Sequence, residues 1–147
     1  MKSAVSMIVT VMFCTACSAT GFAEPVRARP SQAFSLKVGE SARTADGAWV
    51  IGFDGVPADS RCPKGEQCVW AGDATVRVWT QRPGGPKQMR ELHTAPSAPR
   101  AGDTPGGALR LVRLDPTPIT GKAIAQRDYV ATLALDGADA PGAAPER

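Results

Sequence analysis

The stretch from Asp59 to Ala74 reads D-S-R-C-P-K-G-E-Q-C-V-W-A-G-D-A and contains Cys62 and Cys68, the two cysteines that lie outside the first twenty residues. The Pro-Lys-Gly sequence between them favours a turn that brings the two sulfur atoms together. Pinning Cys68 would also fix the register of the chain that follows, so we expect Trp70 to enter the core as a large packing anchor. The stretch therefore predicts a disulfide-closed loop that leads into a buried strand.

The flanking chain alternates apolar and polar residues, as strands with one buried face do. The run that starts at Ala33 and the run that starts at Ala48 are separated by a distance that suits a hairpin. No stretch carries apolar residues at helical spacing for three turns. Short strands between Gly/Pro turns predict an all-β fold, an antiparallel Ig-like sandwich or an open barrel with one short-loop disulfide. The predicted strand segments are 33–38, 48–53, 69–79, 88–94, 109–114 and 128–135. Gly72 and Asp73 interrupt the segment 69–79, as a bulge would.

Trp79 and the segment 95–107 are the candidates for a partner surface. Trp79 lies on the face opposite Val76 and Val78, so we expect it to be partly exposed. The segment 95–107 is rich in proline and glycine and has almost no apolar bulk, which predicts a mobile loop or a binding loop.

The first residues have the pattern of an export signal. A lysine is followed by an apolar run from Ala4 to Ala16, which is too short to span a membrane. We favour cleavage after Ala23, because Gly21 and Ala23 are the small residues that signal peptidase requires. Alternatively, residues 14–17 resemble a bacterial lipobox, in which Cys17 would be lipidated.

Composition divides the chain into four segments. We predict a signal peptide over 1–23, a linker over 24–32, a β-domain over 33–135 and a disordered tail over 136–147.

The formal net charge of +3 is small, and the basic residues are scattered. Nucleic-acid binding is not expected, because phosphate neutralisation needs a basic patch.

The order of these segments resembles a group of small, uncharacterised secreted or lipid-anchored bacterial proteins. The shared features are the D-S-R-C-P turn, the C-V-W-A-G segment, an F-S-L-x-V-G-E-like first strand from Phe34 and a D-Y-x-A-T-L-like last strand from Asp128. The resemblance covers residues 34–135 and is most specific in the cysteine loop. It implies the topology and export, and it implies no activity.

The cysteine pair has a structural interpretation and a chemical one. Redox motifs usually place two residues between the cysteines at the start of a helix. A structural zinc site needs four ligands, and His93 is the sole histidine. We therefore predict a structural disulfide and no metal or other cofactor, with a thiol-disulfide redox or metal-binding role for Cys62 and Cys68 as the alternative.

The polar residues near the loop are expected to be structural. Asp59, Arg61, Glu66 and Asp73 suit turn formation and local pairing, although a buried Arg61 beside Asp73 would lock the loop. His93 lacks a recognisable nucleophile context and is interpreted as a polar strand residue.

These observations predict an exported, non-catalytic binding or accessory module, periplasmic or secreted, or alternatively an outer-membrane lipoprotein. Its partner would be an envelope protein or a small ligand, and it would meet the membrane only through a lipid on Cys17. A purely structural envelope protein is the third alternative.

Overall fold

Nine strands and one short helical turn make up the part of the chain that the structure describes. The structure, a computed structural model, describes residues 26–29, 32–96, 98–99, 101–104 and 107–136. The strands are β1 (Val26–Ala28), β2 (Ala33–Lys37), β3 (Ser41–Thr44), β4 (Val50–Asp59), β5 (Ala74–Gln81), β6 (Gln88–His93), β7 (Ala101–Thr104), β8 (Gly107–Asp115) and β9 (Val130–Asp136). A 3-10 helix spans Gln126–Asp128, and no helix of these residues is long and apolar enough to cross a membrane.

The strands form two sheets. The first sheet has the order β1-β3-β4-β5-β6, and the second has the order β2-β9-β8-β7. Neighbouring strands are antiparallel except β1 and β3, which are parallel. The predicted all-β sandwich with one short-loop disulfide is therefore confirmed, and the sheets do not close into a barrel.

The core lies between the sheets and is built from alternate residues of each strand. Phe53, Val76 and Val78 point inward from the first sheet, and Leu36 and Leu133 point inward from the second. In the last predicted segment, one face is buried, consisting of Tyr129, Ala131, Leu133 and Leu135. Alternation places one apolar row inside because successive strand side chains point to opposite faces.

The strand pairing differs from the predicted hairpin. Strand β2 pairs with β9, and β4 pairs with β3 around the turn at Asp46 and Gly47. The segments 33–38 and 48–53 thus belong to different sheets. The prediction missed β3 because its residues, Ser41 to Thr44, are small or polar and only Ala42 is buried in it.

Two segments that the sequence assigned to irregular chain contain strands. Strand β1 lies inside the predicted linker 24–32, and its Ala28 is fully buried. Strand β7 lies inside the predicted loop 95–107 and pairs with β8. Both strands are short, sit at the edge of a sheet and carry little apolar bulk, so no alternating pattern marks them. The predicted signal over 1–23 lies outside the described residues, as does the predicted tail after Asp136, which is the last residue of β9.

Strand β4 bends where the 3-10 helix meets it. Its register against β5 shifts on either side of Gly55. The side-chain amide of Gln126 accepts a hydrogen bond from the Val56 N–H at 3.0 Å and donates one to the Val56 carbonyl at 2.7 Å. The register shift is a β-bulge, which takes the N–H and the carbonyl of Val56 out of the ladder. The side chain of Gln126 makes both hydrogen bonds in place of a neighbouring strand.

Candidate functional site

The cysteine loop closes as predicted and continues the β4–β5 ladder outward. Cys62 and Cys68 form a disulfide with a Cα–Cα distance of 6.0 Å. The Ser60 N–H donates to the Asp73 carbonyl at 2.7 Å, and the Cys62 N–H donates to the Ala71 carbonyl at 3.0 Å. The base of the loop is thus a short two-stranded extension, held by backbone hydrogen bonds as well as by sulfur.

The expectation that Trp70 anchors the core is wrong. Trp70 is 82% exposed and Val69 is 91% exposed, and we call this pair the apolar tip. The inward register starts only at Ala74, which is fully buried. Between them Gly72 has φ +70°, and a Cβ there would collide with the Ser60 carbonyl. The chain therefore changes direction after Trp70, and the disulfide fixes a loop that projects outward.

A buried ion pair lies beneath the loop. The Arg61 guanidinium donates to both Asp59 carboxylate oxygens, from Nε at 2.9 Å and from Nη2 at 2.7 Å. It also donates to the Leu114 carbonyl at 2.7 Å and to the Pro116 carbonyl at 2.8 Å. The Tyr129 hydroxyl donates to Asp59 at 3.0 Å. Arg61 is indeed largely buried, but its partner is Asp59 and not Asp73.

The ionisation of this cluster follows from burial and hydrogen bonding. Burial alone raises the pKa of Asp59, but the hydrogen bonds from Arg61 outweigh it, so the pKa lies below its usual value. Burial, together with the hydrogen bond to Asp59, raises the pKa of Tyr129 to about 12. The phenol therefore stays protonated and continues to donate at neutral pH. The cluster joins the end of β4 to the second sheet with every charge paired.

The outer side of the loop rests on the turn at 118–122. The Lys64 N–H donates to the Pro118 carbonyl at 2.8 Å, and the Thr120 hydroxyl donates to Glu66 at 2.8 Å. Ile119 in this turn is 49% exposed. The same end of the sandwich therefore carries the apolar tip and a second exposed aliphatic side chain.

Asp73 organises a separate polar cluster with β6. One carboxylate oxygen lies 2.6 Å from Nδ1 of His93, and the other accepts the N–H groups of Thr94 at 2.9 Å and Ala95 at 2.8 Å. The Thr94 hydroxyl also donates to Asp73 at 3.0 Å and accepts the Ala74 N–H. The cluster fixes the turn after β6. His93 is, as predicted, a polar strand residue, and the Thr94 hydroxyl is directed to the carboxylate.

The pKa of Asp73 is lowered to about 2. Burial raises it, but the hydrogen bonds from His93, Ala95 and Thr94 favour the charged carboxylate more strongly. Within the described residues, no group of three His, Cys, Asp or Glu side chains is placed to hold a metal ion. The chemistry of this cluster is that of a turn held by an ionised carboxylate.

Trp79 lies on the outer face of the first sheet and is half-buried, in line with its predicted orientation. Its ring covers Gly52, where a Cβ would overlap the indole. Nζ of Lys87 lies 4.1 Å from the ring centroid on a cation–π contact. Trp79 is thus engaged on the sheet, whereas the apolar tip is open to solvent. The partner role assigned to Trp79 stays a prediction.

One feature of the sequence marks the exposed tip. Gly72 and Asp73 interrupt the apolar pattern directly after Trp70, and such a break marks a change of direction as readily as a bulge. The pairing of Asp59 with Arg61 had no comparable signal, because a turn can bring either Asp59 or the more distant Asp73 to the one arginine.

Replacing Asp59 by Ala should lower the free energy of unfolding by about 3–5 kcal/mol, because it leaves a buried guanidinium without its counter-ion. Tyr129→Phe should cost about 1 kcal/mol through the loss of one hydrogen bond. Urea unfolding of the purified protein measures both. The matched control is Arg113→Ala, which breaks an ion pair whose arginine side chain is 71% exposed and should change stability by no more than about 0.5 kcal/mol. Equal losses at Asp59 and Arg113 would contradict the structural role of the buried pair.

The stability of the domain should depend on pH through Asp73. The folded pKa of about 2 lies below the ordinary value of 3.8, so the contribution is present above pH 3.8 and is lost as the pH falls toward 2. Unfolding free energies measured across this interval should rise with pH, and the slope should be shallower in Asp73→Asn. Asp103→Asn, a change at an exposed position on β7, is the control and should keep the slope of the parent protein. The prediction fails if Asp73→Asn and the parent protein have the same slope.

Comparisons of the chain with protein-family models, with curated proteins and with solved structures gave no match. A functional proposal must therefore stand on the side chains described above and on the way the fold presents them.

Proposed function

We propose that this protein is an exported, non-catalytic binding or accessory module that contacts its partner through the apolar tip, Val69 and Trp70. The observation that carries the proposal is the exposure of the two side chains, 91% and 82%, at adjacent positions directly after the disulfide-closed loop. Large apolar side chains are favoured inside a protein, and an indole left in water is available to a partner.

The rigidity of the loop supports this role. The disulfide holds Cys68 directly before the tip, and the hydrogen bond from the Cys62 N–H to the carbonyl of Ala71 holds the chain directly after it. The Lys64 N–H also bonds to the Pro118 carbonyl. A preorganised contact loses little conformational entropy on binding, and tryptophan is among the residues that contribute most at interfaces. The backbone of the tip is therefore held at both of its ends.

The disulfide also supports export to the periplasm or the cell surface, because such bonds persist in oxidising compartments. The export signal over 1–23 and the choice between cleavage after Ala23 and a lipid on Cys17 are sequence-based expectations that the proposal includes. The proposal includes no catalysis, because the polar side chains around Asp59 and Asp73 form hydrogen bonds to backbone segments and hold those segments together.

A redox role for Cys62 and Cys68 is the second candidate. The observation that favours it is the exposure of Cys68 at the surface beside a half-buried Cys62. A nucleophilic thiol must reach a sulfur atom to exchange with a disulfide, and Cys68 is open to such an attack.

The double variant Val69→Ser/Trp70→Ser should retain the melting temperature of the parent protein, because both side chains lie outside the core. Its retention by an isolated cell-envelope fraction should fall strongly, because the contact surface is gone. Sedimentation of the full chain with that fraction measures retention, in a Cys17→Ser background that removes the lipidation site. Met89→Ser changes an apolar residue that is 50% exposed on β6 and should bind as the parent does. Unaltered retention of the double variant would refute the proposal.

Mild reductant separates the two candidate functions. A structural bond should resist reduction in the native protein, and thiol labelling in a Cys14→Ser/Cys17→Ser background should stay low until the chain unfolds. Cys62→Ser/Cys68→Ser should lower the melting temperature by several degrees, since closing so short a loop contributes roughly 2–2.5 kcal/mol. Rapid reduction and labelling of the native protein would instead favour the redox function.

A further inference from the structure

We propose that the apolar tip inserts into a lipid bilayer at the boundary between headgroups and acyl chains. The proposal rests on the binding role proposed above and names its partner. Tryptophan is enriched at this boundary because its ring is largely apolar while its indole N–H can reach polar groups. Val69 and Trp70 are both exposed at adjacent positions directly after the disulfide, so both can enter the bilayer without refolding of the domain.

The neighbouring turn extends the apolar contact. The hydrogen bonds from Lys64 to Pro118 and from Thr120 to Glu66 place the turn at 118–122 against the cysteine loop. Ile119, half exposed in this turn, adds a third aliphatic or aromatic side chain at the same end of the sandwich. A bilayer accepts such a convex group of side chains without the matching pocket that a protein partner would have to provide.

The charges beside the tip fit an anionic membrane surface. Lys64 lies between the two cysteines and Lys122 follows Ile119 in the turn, and both side chains are exposed. Glu66, whose carboxylate accepts a hydrogen bond from Thr120, carries the opposite charge, so these three exposed residues leave a net positive charge. Lysines close to the surface of a bilayer attract anionic headgroups, so they would hold the tip at the depth where its apolar side chains enter.

The N-terminal end of β1 faces the same end of the sandwich. Val26 pairs with Ala42, and Ala42 pairs with Ile51 of β4. Because β1 is antiparallel to β4, its N-terminal end faces the Asp59 end of β4, where the cysteine loop begins. The distance along β4 from Ile51 to Asp59 is about 26 Å. Val26 is nine positions after Cys17, and a chain of that length can span about 30 Å when extended. A lipid on Cys17 would therefore permit this end of the domain to touch the bilayer.

Tryptophan fluorescence on vesicles tests the proposal directly. The full chain with Cys17→Ser is mixed with vesicles of phosphatidylethanolamine and phosphatidylglycerol whose acyl chains carry bromine, a quencher that acts at short range. Emission from Trp70 should be quenched. The remaining tryptophans should not be, because Trp49 precedes β4 at its far end and Trp79 lies on the outer face of the sheet. The quenched fraction should accordingly disappear in Trp70→Ser.

Binding measurements extend the test. Val69→Ser/Trp70→Ser should weaken vesicle binding by at least about tenfold, since two large apolar side chains no longer leave water. Lys64→Glu/Lys122→Glu should weaken binding to vesicles that contain phosphatidylglycerol more than binding to vesicles of phosphatidylcholine alone. Met89→Ser should change neither.

The outcomes separate this proposal from the more general one. Unquenched Trp70 emission on vesicles overturns membrane insertion. If the double variant nevertheless loses retention by the cell envelope, the tip binds a protein or another ligand and the binding role stands. If the vesicles leave Trp70 unquenched and retention is also unchanged, both proposals fall.

Discussion

The ion pair between Asp59 and Arg61 holds the two sheets together at one end of the sandwich. Asp59 terminates β4 in the first sheet, while the guanidinium reaches the carbonyls of Leu114 and Pro116 at the end of β8 in the second. Tyr129 adds a third attachment just before β9. Since the cysteine loop starts directly after Asp59, its direction depends on this pair. The disulfide then determines how stiffly the loop is held, and the buried charges determine where it points.

The sequence predicted the strands that bury a row of large apolar side chains, because an alternating pattern reports burial directly. It did not predict β1, β3 and β7. Their residues are mostly small or polar, and these strands form by pairing with a neighbouring strand. The hairpin prediction failed for a related reason. Proximity along the chain favoured pairing of the first two apolar runs, but β2 obtains its hydrogen bonds from β9. Pairing between distant segments leaves no mark in the local pattern.

The cysteines were sufficient to locate the candidate site in the sequence, but they did not show that Trp70 faces solvent. The spacing of Cys62 and Cys68 was sufficient to predict the bond, because so short a separation with a turn between leaves the sulfur atoms close. Hydrophobicity was then a poor guide to Trp70, since a large apolar residue is driven inward only where the backbone can turn it inward. Gly72 redirects the chain before the register of β5 begins. Exposed indoles of this kind are recognised only when the strand boundary is known.

The pairing of β2 with β9 has a consequence for the order of events after synthesis. Ser35 and Thr132, which share a hydrogen bond across this pair, stand 97 positions apart, so the second sheet lacks a central partner until almost the whole domain has emerged. Contacts of such long range delay folding, because a large loop must close before they form. The second sheet is therefore completed only after β9 has been synthesised, whereas every strand of the first sheet precedes residue 94.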